Sequence, residues 1–112
     1  MYKLEILKED EQHLLSIGFL PEIQANNDEF VKYVDKHLSL MTSGGVFGGR
    51  LLLINGSCSL PIMAVIAHKL GRMYGAIAVF DPKLQSYVVS IAHGGSLAVG
   101  DLVKLSEVPV PQ

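Results

Sequence analysis

Two runs of consecutive apolar residues, Leu51-Leu52-Leu53-Ile54 and Ala76-Ile77-Ala78-Val79-Phe80, flank a stretch with helical spacing, and this constrains the fold more than any other feature. Each run is of strand length, and a strand that is apolar at consecutive rather than alternate positions must be covered on both faces. Between them, Ser59 and Pro61 read as the cap and first turn of a helix whose Ile62, Val65, Ile66, Leu70 and Met73 share one face. Lys69 falls inside that face and must reach water along its methylene stem. A strand, a helix and a strand in this order make a right-handed crossover that pairs the two strands in parallel.

The remaining elements follow from pattern and punctuation. Leu4, Ile6, Leu15, Ile17 and Phe19 alternate with polar or small residues around a turn-like Lys8-Glu9-Asp10-Glu11-Gln12, which predicts an N-terminal hairpin ended by Pro21. Asn26-Asn27-Asp28-Glu29 supplies cap candidates and first-turn acids ahead of Phe30, Val34, Leu38 and Met41 at helical spacing. Gly44, Gly45, Gly48 and Gly49 break that helix. Asp81-Pro82-Lys83-Leu84 is a turn leading into a strand from Tyr87 to Ala92, which makes a second hairpin, and a last strand near Leu102 to Leu105 follows Gly94-Gly95 and Gly100-Asp101. The expected order is ββαβαβββ. This is an α/β (α+β) single domain over residues 1–107, a mixed sheet with two helices and a ferredoxin-like general character, followed by a Pro-containing tail or linker at 108–112. Two helices on one side leave the other face of the crossover strands bare, and the expected cover is a second copy, hence a homodimer.

Composition sets limits on partners. A chain of 112 residues buries one core, and with 49% hydrophobic and 18% charged residues it is globular rather than disordered. A formal charge of −2 argues against wrapping duplex nucleic acid, which needs many Lys and Arg against phosphates, but leaves room for a small anion held by a few donors. The single cysteine, Cys58, makes no internal disulfide and no thiolate zinc site. No apolar run approaches the ~20 residues of a bilayer span, so no membrane is expected and a cytoplasmic location follows by default.

Chemistry concentrates between Ser57 and Gly95. Ser57, Cys58 and Ser59 fall in a strand-to-helix loop, where free N–H groups and the helix dipole favour an anion; the plainer reading is that Ser59 only caps the helix. His68 and Arg72 stand four residues apart along one helix edge, able to hold a phosphate or move a proton, or simply half-exposed. Asp81 opens an Asp-Pro turn, a position that favours Asp without any chemistry, and Lys83 follows it. His93 ends a strand before Gly94, Gly95 and Ser96, a loop whose backbone can approach a ligand closely. His13 and His37 read as surface residues.

Five pieces of the chain carry a resemblance: the strand ending Ile54-Asn55-Gly56, the segment Ala67-His68-Lys69, the run Ala78-Val79-Phe80-Asp81-Pro82-Lys83-Leu84, the strand ending in His93, and Gly100-Asp101-Leu102-Val103. From Arg50 to Leu105 the chain resembles the small CRISPR-associated ring nucleases called Csx-three or Crn-three, which cleave cyclic tetra-adenylate; the earlier half matches only in its order of elements. The resemblance implies a dimer that binds the cyclic nucleotide made by type III CRISPR systems and linearises it, ending the antiviral signal, with a divalent metal, usually manganese. By position it implies Asp81 as the acidic active-site residue, Lys83 where relatives commonly have arginine, and His93 as the ligand-side histidine with Gly94 beside it. Relatives also carry an active-site histidine toward the end of the second helix, and His68 and Arg72 are both open as its counterpart. Asn55, Ser57 and Ser59 stand where relatives have a more glycine-rich, basic ligand loop.

These residue types suit the reaction. An RNA-like phosphodiester carries its own 2′-OH nucleophile, so a site that fixes in-line geometry and offers a base, an acid and a cation gains much of its rate from orientation. His68 with Asp81 is expected to ligate the metal or act on protons, and Arg72 with Lys83 to stabilise charge on the phosphate. Metal-activated water is the competing route. Hairpin geometry separates Asp81, at the turn, from His93, past the open end, by on the order of 20 Å, so one phosphodiester cannot touch both. The expected site is therefore composite, with ligand bridging two dimers. Other readings from the same residues are a binding or sensor module that captures cyclic oligoadenylate without cutting it, a metal-dependent RNA exonuclease, and a small-molecule regulatory dimer.

Overall fold

The computed structural model describes residues 2–19 and 27–104. Pro21, Asn26, Leu105 and the 108–112 tail, all assigned roles above, lie outside the described residues. The elements are β1 (Tyr2–Glu9), β2 (Gln12–Phe19), α1 (Asn27–Ser43), β3 (Gly49–Gly56), α2 (Leu60–Leu70), β4 (Tyr74–Asp81), β5 (Ser86–Ala92) and β6 (Leu102–Lys104), which is the expected ββαβαβββ order. Ser59 stands at the N-cap of α2 with Pro61 in the first turn. Lys69 turns outward as its position required, and its Nζ reaches Ser39 Oγ at 2.8 Å and Asp35 Oδ1 at 3.2 Å, which ties α2 to α1.

The six strands lie in sequence order, β1-β2-β3-β4-β5-β6. β2, β3 and β4 are parallel, and antiparallel pairs flank them on both sides. Two strand-helix-strand crossovers therefore stand side by side, where the apolar runs revealed only the second; β2 alternates, so its membership of the parallel centre left no mark in its pattern. The ferredoxin-like expectation is corrected in the same step. That arrangement splits its crossovers to admit a third strand, whereas here each crossover joins strands that pair directly. The sheet is a parallel centre with antiparallel wings.

Both helices pack on one face. Phe30, Val34 and Leu38 of α1 and Ile62, Ile66 and Leu70 of α2 form one cluster with Leu15, Ile17, Leu52, Ile54 and Ile77 of the sheet. The opposite face carries its own cluster, Leu14, Leu51, Leu53, Ala76, Ala78, Tyr87, Val89 and Val103, against which Phe80, Ala92 and Leu97 pack. Within one chain Leu53 and Ala78 are 0% exposed. Burial of the crossover strands thus does not require a second copy, because the outer strands and the loop bearing Leu97 fold large side chains over that face. Among the described residues, no helix is long and apolar enough to cross a membrane.

Candidate functional site

Because β2, β3 and β4 run the same way, the sheet has two chemically distinct ends. The carboxyl end of the parallel strands holds Asn55 at the end of β3, Ser57 and Ser59 in the loop to α2, Asp81 at the end of β4 and Lys83 in the following turn. Asp81 Oδ1 accepts hydrogen bonds from the backbone N–H of Lys83 at 2.8 Å and of Leu84 at 3.3 Å. The carboxylate is thereby fixed by its own turn, as Asp at the first position of such a turn does. Ser59 makes no side-chain capping bond to α2. Cys58, in the same loop, is half-buried against the helix-side cluster, and burial pushes its thiol above the usual range. That disfavours the thiolate form.

The amino end of the parallel strands holds His68, Arg72, His93 and Gly94. α2 runs back along the sheet, so its last turn brings His68, and the turn after it Arg72, next to the start of β4. His93 arrives there from the end of β5. Its backbone N–H donates to Gly75 O at 2.9 Å and its Nε2–H donates to Gly71 O at 2.5 Å, which fixes the tautomer at Nε2–H because a carbonyl only accepts. The imidazole thus clamps the exit turn of α2, one residue from Arg72 and three from His68.

The expected pairing of His68 with Asp81 as a metal or proton-handling unit does not occur within one chain. β4 runs the whole distance between them, seven steps at ~3.3 Å, so the two sit on the order of 20 Å apart. Arg72 and Lys83 are separated in the same way. The predicted separation of Asp81 from His93 is what the register shows, since Asp81 pairs with Ser86 while Ala76 pairs with Ala92. Among the described residues, no three His, Cys, Asp or Glu side chains come together as a metal-holding group.

Two features at this end and on the hairpin escaped the sequence reading. His13 is not a surface residue but 5% exposed, with Nδ1 2.7 Å from Tyr74 Oη and the rings edge-on. Burial, and then Lys8, hold its imidazole below the usual histidine range, while burial pushes the Tyr74 hydroxyl up. The signal was the even spacing of His13 with Leu15 and Ile17, which places it on the helix-side face. The second feature is a polar groove around Gly18, developed below.

A family model described as CRISPR-associated protein (Cas_csx3) matches residues 24–104, well over half of the chain, from the approach to α1 through β6. It covers every candidate residue at both ends of the sheet and excludes the β1-β2 hairpin. Compared with curated proteins, the chain matches none.

Proposed function

The chain belongs to the Cas_csx3 family of CRISPR-associated proteins, and from that premise we propose that it is a cytoplasmic ring nuclease that binds and linearises cyclic tetra-adenylate. The observation that carries this reading is the division of candidate groups between two ends of one sheet: Asp81 and Lys83 at one, His68, Arg72 and His93 at the other. A monomeric enzyme has no use for that layout. It serves a ring seated at the His93 end of one dimer and met by the Asp81 end of another, so that the ligand itself completes the active site. The dimer is part of the proposal and rests on the family, since each chain already buries both faces of its sheet.

In this reading the 2′-OH of one adenylate attacks the adjacent phosphorus, the bond to the 5′-oxygen breaks, and the products are a 2′,3′-cyclic phosphate and a 5′-OH. Asp81 Oδ2 takes the 2′-OH proton. His68 of the facing dimer supplies the proton to the leaving 5′-oxygen, and Lys83 with Arg72 offsets the charge that builds on the phosphoryl oxygens. His93 orients Arg72 through the Gly71 carbonyl. Asn55 and Ser57, at the same end of the sheet as Asp81, serve as donors to the ring.

Incubation with cyclic tri-, tetra- and hexa-adenylate, with and without manganese, tests the proposal directly. Cyclic tetra-adenylate is expected to give linear products ending in 2′,3′-cyclic phosphate, at a rate rising more steeply than linearly with protein concentration. Tight binding with no cleavage under any condition would favour the non-cleaving sensor reading, and products lacking the cyclic phosphate would favour attack by water.

A further inference from the structure

Four glycines lie in the strands, and three have a steric reason to be there. A Cβ at Gly49, Gly56 or Gly75 would come within 3.0 Å of a backbone oxygen, of Glu11, Ile17 and Arg50 respectively. Gly18 in β2 is different: among the described residues nothing lies within 4 Å of its Cβ position, and its φ is not among the positive ones. Glycine weakens a strand interior, and close approach of a ligand or another backbone is one of the recurring reasons for it where crowding and handedness do not explain it.

What lies over Gly18 is a cavity of about 190 Å³ lined by Lys3, Glu5, Ser16, Ile17 and Gly18. Glu5 pairs with Ser16, and Ser16 with Asn55, so three polar residues form a row across β1, β2 and β3. The row is on the face away from the helices, since Leu14 and Leu53, two residues earlier on their strands, belong to the cluster there. Lys3 Nζ lies 2.9 Å from Glu5 Oε1. A cationic donor and an anionic acceptor thus stand side by side over a flat glycine floor, with a hydroxyl and an amide next to them.

The volume is below the ~300–1,000 Å³ of a site for a whole small ligand, so the groove takes one group of a larger molecule. Adjacent donor and acceptor over an open backbone suit a flat heterocycle with an amino group next to a ring nitrogen. We propose that this groove is a nucleobase subsite, with Gly18 as its floor and Lys3, Glu5 and Ser16 reading the base edge. That the base is one adenine of the cyclic ligand rests on the ring-nuclease reading. Ser16 and Asn55 put the groove toward the carboxyl end of β2 and β3, and β2 is two strand spacings, on the order of 10 Å, from β4. The hairpin lies outside the residues that match the family.

The test separates the groove from the ring. Adenosine at millimolar concentration is titrated into the full chain while the backbone amide resonances of Glu5, Ser16 and Gly18 are followed. Saturable shifts at these three are expected, and Gly18→Val, whose β-branched side chain suits a strand and fills the cavity without a clash, should abolish them with the melting temperature kept or raised. Glu5→Gln, at an exposed position that does not hold the fold, should weaken the response roughly tenfold, the loss expected for one charge-assisted contact, and decides the matter if Gly18→Val fails to fold. Absence of shifts on the hairpin in the parent, or shifts unchanged in both variants, overturns the subsite whether or not the ring is cut. Adenosine held here by a protein that leaves all three rings intact keeps the subsite and removes the ring-nuclease reading.

Discussion

The two ends of the sheet are held by different kinds of contact. At the Asp81 end the candidate groups are fixed locally: Asp81 Oδ1 accepts from residues two and three positions on, within its own turn. At the His93 end they are fixed across the chain, His93 to a carbonyl 22 residues away, Lys69 to a hydroxyl 30 away and His13 to a phenol 61 away. Local contacts orient a side chain without tying elements together, whereas long-range ones lock α2 and the strand starts into place. Substitutions at the Asp81 end should therefore change chemistry and leave the fold alone. Those at the His93 end should change both.

The largest expected effect is at Asp81. Asp81→Ala should lower cleavage of cyclic tetra-adenylate by at least about a hundredfold, the scale of losing a positioned base, and leave ring binding largely intact. Stability should fall by only about 1 kcal/mol, since two exposed turn bonds are lost. Mixed with His93→Ala protein, it should regain activity, because each partner keeps the end that the other lacks. A mixture as inactive as its parts, with both variants folded and dimeric by light scattering, removes the composite site.

His93→Ala comes next. With the Gly71 carbonyl released, the turn bearing Arg72 loosens, and ring affinity should drop roughly tenfold. Amide exchange at Gly71 to Met73 should rise in parallel. If exchange rises and the melting temperature falls while affinity is untouched, His93 is a clamp and not part of the ligand surface.

How much of this was legible in the sequence follows the same division. The element order, the second crossover, the outward turn of Lys69 and the Asp81 turn were all readable, because each leaves its mark in the local pattern of apolar, helical and turn residues. The parallel pairing of β2 with β3 was not, since Leu15 and Ile17 alternate as in any half-buried strand and nothing in them names a neighbour. His13 was misplaced for a related reason: its burial depends on Tyr74, far along the chain. That His68 and Asp81 do not meet within one chain was not readable either, because it depends on α2 running back along the sheet and carrying His68 to the opposite end.

Stability against pH probes the buried pair. His13 Nδ1 and the Tyr74 hydroxyl share a hydrogen bond, and burial holds the imidazole pKa below the usual 6.5. The unfolded chain takes up that proton near pH 6.5 while the folded chain resists it, so the unfolded state binds more protons and stability falls as pH drops below this value. The slope should not exceed about 1.4 kcal/mol per pH unit, one proton's worth. His13→Gln should flatten the fall in melting temperature between pH 7.5 and 5.5 on the scale of that single proton. An unchanged profile would place the titration in another group and leave the His93 end without this lock.

The smallest effect concerns Lys69. Its side chain is 29% exposed and that of Asp35 is 52% exposed, so solvent screens the ion pair and its worth is about 0–1 kcal/mol. The methylene stem, by contrast, lies on the apolar face of α2 between the two helices. Lys69→Met keeps that stem and removes the charge, whereas Lys69→Ala removes both. Melting temperatures should show Lys69→Met close to the parent and Lys69→Ala lower, with ring affinity unchanged in either. If Lys69→Met instead weakens ring binding while the melting temperature holds, the ammonium contributes to the ligand surface. The tie to Asp35 and Ser39 would then be a resting position, and the His93 end would be less completely locked than its long-range contacts indicate.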